Sequence, residues 1–151
     1  MSTIKGSSIT VHKLRNYILG IYFISGIGLL AELILLEHYE GFWQMLPLVL
    51  ISISFIMISW LYFKNTSFSK KGSQLVMILM IVGGCWGLWM HYTGNTEFEL
   101  ELHPSVGGFE LFWNSIKGAT PVLAPGALVG LGLTGLVYTL IRATAADEVI
   151  N

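Results

Sequence analysis

"YILGIYFISGIGLLAELILL", residues 17–36, holds one charged residue, Glu32, in twenty. Crossing the hydrocarbon core of a bilayer takes about 20 apolar residues in a helix. This run is too long for the apolar region of a signal peptide, and no small-residue cleavage pattern follows it. It is expected to be a retained transmembrane helix.

The whole chain agrees with that stretch. Of 151 residues, 54% are hydrophobic and 11% charged, where soluble domains carry about 25% charged residues. Three further apolar runs cover residues 46–63, 75–92 and 122–141. The backbone must satisfy its own hydrogen bonds in lipid, and the alternation of a barrel strand is missing, so these runs are read as helices. The expected fold is an all-α integral membrane protein with four transmembrane helices in a single membrane domain. A cytoplasmic loop covers 64–73 and an outer loop 93–118.

Charge orients the spans. Lys5, Lys13, Arg15, Lys64, Lys70, Lys71 and Arg142 fall on one side, leaving only Lys117 on the other. Positive residues mark the cytoplasm, so both termini are placed inside, in a bacterial inner (plasma) membrane. The opposite face receives Glu37, Glu40, Glu97, Glu99, Glu101 and Glu110, with His38, His91 and His103. The net charge of −1 gives no field for nucleic acid. The single cysteine, Cys85, excludes disulfide frameworks and paired-thiol redox chemistry.

The outer loop carries its own pattern. "NTEFELELHP", residues 95–104, alternates acid and hydrophobe, and a period of two predicts a short extended acidic segment. "SVGGFELFWNSIKG", residues 105–118, places Phe109, Phe112, Trp113 and Ile116 on one helical face, as an amphipathic helix in the membrane interface does. "GATPVLAPGALVG", residues 118–130, offers two starts for the last span. Either Thr120 and Pro121 are N-cap and first turn, or the helix begins at Pro125 after an ordered lead-in. Gly83 with Gly87, and Gly126 with Gly130, have the GxxxG spacing that lets helices pack closely in lipid.

Several residues are candidates for chemistry. Glu32, an acid inside an apolar span, is costly unless partnered or functional. Glu37, His38, Glu40, His91, Glu97, Glu99, Glu101 and His103 form a reservoir of ligands for a divalent metal, although no recognised metal-ligand spacing joins them. His38 and His91, in the related fragments HYEG and HYTG at the outer ends of two spans, are candidates to hold a haem or quinone, which ranks behind a metal. Ser105 and Ser115 lack the nucleophile elbow or triad spacing of a hydrolase, so the reading leans away from an enzyme. The expected role is an accessory or structural subunit of a larger or homo-oligomeric membrane complex, with the acidic, histidine-bearing face as its docking surface. The alternatives are an extracytoplasmic cation or transition-metal component and an electron-transfer subunit.

Overall fold

The computed structural model describes residues 2–150, with side chains described for 10–142. Five helices follow one another: α1 (Ser2–Leu35), α2 (Phe42–Phe63), α3 (Ser67–Leu102), α4 (Gly108–Ile116) and α5 (Gly126–Ile150). Three of them, taken over Thr10–Leu35, Phe42–Phe63 and Ser67–Leu102, are long and apolar enough to cross a membrane. The described apolar part of α5, Gly126–Arg142, is shorter.

Local chemistry sets the helix ends. Between α2 and α3 the chain turns in three residues, fixed by a capping box. The Thr66 hydroxyl accepts from the Ser69 N–H at 3.1 Å, and the Ser69 hydroxyl oxygen accepts from the Thr66 N–H at 3.1 Å. α3 then runs for 36 residues, about 54 Å at 1.5 Å per residue, well beyond a hydrocarbon thickness of about 30 Å. It stops at His103, whose backbone leaves the helical region because Pro104 follows.

This overturns the extended acidic segment. Residues 95–102 continue α3 as helix, and no strand occurs among the described residues. Nothing breaks the helix between the apolar span and Pro104. Glutamate and leucine are good helix formers, so propagation prevails over a short alternation. The two proposed starts of the last span also resolve. Residues 118–125 are not helical, and α5 begins after Pro125. The amphipathic α4 forms as expected, its first residue Gly108 taking a left-handed φ of 60°.

α3 is the central element. It packs along α5 on one side and α2 on the other, while α4 folds back onto its last turns; α1 leans mainly on α5. Fully buried Tyr22, Ile51, Ile58, Leu61, Met77 and Met80 form the centre of the core. The α3–α5 seam is closed by glycines. A Cβ on Gly84 would lie 2.6 Å from Val129 Cγ2 and 3.0 Å from the Pro125 carbonyl oxygen, and one on Gly132 would lie 2.9 Å from the Met77 carbonyl oxygen. Gly87 meets the Pro125 ring, and Gly135 meets Met77 and Tyr22. Such contact distances require glycine if the two backbones are to approach. The buried Thr139 hydroxyl is satisfied locally, donating to the Leu136 carbonyl at 2.7 Å. The expectation that Lys5 sits with the other basic residues falls on a side chain outside the described ones.

Candidate functional site

His38, His91 and the described acids lie toward one end of the bundle, the histidine end; Arg15 and Arg142 lie toward the other, the arginine end. At the histidine end α1 finishes in a Schellman motif. The His38 N–H donates to the Leu33 carbonyl at 2.9 Å and the Glu37 N–H to the Ile34 carbonyl at 3.0 Å. Glu37 occupies the left-handed position with φ 53°, where glycine is the usual residue. That reversal directs the chain so that the half-buried His38 ring stands 6.4 Å, centroid to centroid, from the ring of His91 on α3, at an interplanar angle of 65°.

His91 is held from its far side. Its Nδ1 lies 2.9 Å from the Pro121 carbonyl oxygen. A carbonyl only accepts, so in the neutral ring the proton sits on Nδ1 and the Nε2 lone pair is left available. Fixing one ring nitrogen on a carbonyl is the usual way a ligating histidine is oriented. His38 is held below the ordinary pKa of 6.5, first by burial and second by the neighbouring His91. His38 is therefore favoured in its uncharged, lone-pair-bearing form.

The remaining candidates are dispersed. Glu97 and Glu101 are exposed on α3, about 9 and 15 Å along the helix axis beyond His91 at 1.5 Å per residue. Glu99 lies on another face and accepts from Asn114 Nδ2 at 2.9 Å. His103 is exposed at the end of α3, and Glu37 and Glu40 are exposed in the turn before α2. Glu32 is exposed in the last turns of α1. Among the described residues no three of histidine, cysteine, aspartate and glutamate gather in a metal-holding group.

Sequence patterning overlooked the residue that organises this end. Asn95 is 4% exposed. Its Nδ2 donates to the carbonyls of Ser115 at 2.8 Å and Thr120 at 2.7 Å, and its Oδ1 accepts from the Thr120 N–H at 3.1 Å. The neighbouring Thr96 and Ser115 hydroxyls lie 2.9 Å apart. Gly118 makes room for the clamp, since a Cβ there would stand 2.5 Å from Asn95 Cγ. Asn95 thus ties the segment from α4 to Pro121 onto α3, and Pro121 is the residue that orients His91.

The glycines divide unexpectedly. Gly87 packs into α5, and Gly83 has Leu50 at 3.3 Å from its notional Cβ, but Gly126 and Gly130 meet nothing within 4 Å. Gly130 instead lines an open lateral cleft of about 330 Å³ between α1 and α5, with Ser25, Leu29, Ala127, Leu131 and Thr134. α4 also leaves an apolar face open, with Phe109, Phe112 and Trp113 exposed and Phe109 stacked on Trp113. No protein family, curated protein or solved structure matches the chain.

Proposed function

We propose that the chain is an accessory or structural subunit of a membrane complex, spanning four times with both termini in the cytoplasm and docking a further transmembrane helix against α5. The observation that carries this reading is the unfilled Gly126–Gly130 face. Helix association in lipid gains from close backbone approach, and glycines at this spacing permit it. On the same helix Gly132 and Gly135 already serve the α3 seam, so the open pair faces a different neighbour. The acidic turns of the outer face and the exposed aromatic face of α4 extend the docking surface, the former by charge complementarity. Extraction of native membranes in a mild detergent tests the proposal. The chain is expected to migrate as an assembly well above its 16.7 kDa, and a lone monomer across gentle detergents refutes it.

A second reading rests on the oriented His91. His38 and His91 supply two neutral imidazoles to a transition metal, with the remaining ligands contributed by the docked partner or by water. Metal analysis of the intact assembly tests it: stoichiometric metal lost in His91→Ala supports this reading. A metal-free assembly without a haem absorption band removes both the metal and the haem versions.

A further inference from the structure

The arginine end holds three donors with no acceptor among the described residues. Tyr138 on α5 is 1% exposed; its O–H finds no acceptor among the described residues, while the Arg142 guanidinium lies close enough to donate to its oxygen. The Nε atoms of Arg15 on α1 and Arg142 on α5 are likewise withdrawn from solvent and unpartnered. Both guanidinium groups lie within electrostatic reach of Tyr138. Arg142 is anchored by its Nη2, which donates to the Tyr62 carbonyl at the end of α2 at 2.8 Å, and it lies 5.8 Å from the centroid of the Tyr62 ring. Arg15 and Arg142 remain half-buried, so a ligand can still reach their outer nitrogens.

Buried cations are ordinarily paired, because desolvating an uncompensated charge is costly. Here two converge, and every acidic side chain among the described residues, from Glu32 to Glu110, lies toward the opposite end. A guanidinium offers planar, paired donors suited to phosphate oxygens, and a phenol O–H adds a third donor. The trio sits where α1, α2 and α5 leave the apolar zone, the depth at which lipid phosphates lie.

We infer that Arg15, Arg142 and Tyr138 form a binding site for the phosphate of a net-anionic phospholipid headgroup, seated between α1 and α5 at the cytoplasmic surface. A zwitterionic lipid presents the same phosphate together with a cation, which two arginines with no carboxylate beside them among the described residues disfavour. The inference uses the membrane-spanning bundle but not the docking of a partner, and it stands or falls separately from the subunit reading.

The test is lipid binding by the full chain in detergent, read by native mass spectrometry and by thermal unfolding. The ligands are phosphatidylglycerol, phosphatidylcholine and inorganic phosphate. Phosphatidylglycerol is expected to bind at least tenfold more tightly than phosphatidylcholine and to raise the unfolding temperature, since a ligand of the folded state stabilises it by mass action. Arg15→Gln and Arg142→Gln are each expected to weaken that binding about tenfold, while Lys71→Gln on the same side leaves it unchanged. Tyr138→Phe keeps the packing and removes only the O–H; a several-fold loss is expected, so the inference stays testable if an arginine variant fails to fold. Equal binding of phosphatidylcholine, the same stabilisation by inorganic phosphate alone, or wild-type binding by the folded variants overturns it.

Discussion

Asn95→Ala is the most informative single change. The side chain makes three hydrogen bonds with polar backbone groups of the segment after α4, at 2.7, 2.8 and 3.1 Å. Each protein hydrogen bond contributes about 1 kcal/mol net, so removing three costs about 3 kcal/mol. Asn95 is 4% exposed, so water cannot readily replace it and the cost should not fall much below that sum. Loss of the clamp also frees Pro121 and with it the partner of His91. The assay is a denaturant titration in micelles combined with amide exchange over residues 108–121. The expected result is a loss of about 3 kcal/mol with faster exchange confined to that segment, while α2 and the middle of α3 keep their protection. Gly118→Ala, which presses a Cβ against Asn95, should give a similar pattern, and the double variant should lose less than the sum because the two changes disrupt one contact. Loss below about 1 kcal/mol with unchanged exchange, or strict additivity, refutes the clamp.

Other consequences are equally direct. Gly84→Ala forces a Cβ against Val129 and the Pro125 carbonyl and should destabilise the bundle by about 1–3 kcal/mol. Gly130→Ala meets open space and should stabilise the isolated monomer by about 0.5–1 kcal/mol; unfolding titrations of the two variants in detergent compare them. Tyr22→Phe removes the bond from the Tyr22 hydroxyl to Ser54 Oγ, at about 1 kcal/mol in the same titration. His38 has a depressed pKa, so stability is flat above the ordinary value of 6.5. It declines as the pH falls below 6.5 and the unfolded state takes up a proton first, until the folded pKa is passed. His38→Gln should flatten that decline in a pH series of unfolding temperatures.

Helical character was plain in the sequence because long apolar runs leave the backbone little choice in lipid, and α4 was legible in the spacing of Phe109, Phe112, Trp113 and Ile116. Residues 95–102 misled because positions that alternate in a strand also recur in a helix. Glu97 with Glu101, and Phe98 with Leu102, are one helical turn apart, and Pro104 was the boundary to trust. Glycine spacing identified helices that pack closely, yet spacing alone cannot say which face meets which helix. Gly87 faces α5 as part of a seam with Gly84, whereas Gly126 and Gly130 are left open. Asn95 did carry a signal. Met77, Met80, Gly84, Gly87, His91 and Asn95 follow one another at intervals of three and four, a single helical stripe that runs from the core to the clamp. The His38–His91 proximity was hinted at by the shared HYxG form, but their backbones differ, one in a reversal after α1 and the other within α3.

The open face of α5 is tested most directly by cysteine cross-linking in native membranes. In a Cys85→Ser background, Ala127→Cys and Gly130→Cys probe the cleft, and Ile56→Cys probes an exposed position on α2. A short thiol-anchored photo-cross-linker should capture a second polypeptide from positions 127 and 130 and leave position 56 monomeric. Monomer at all three positions, or equal capture at 56, contradicts the account.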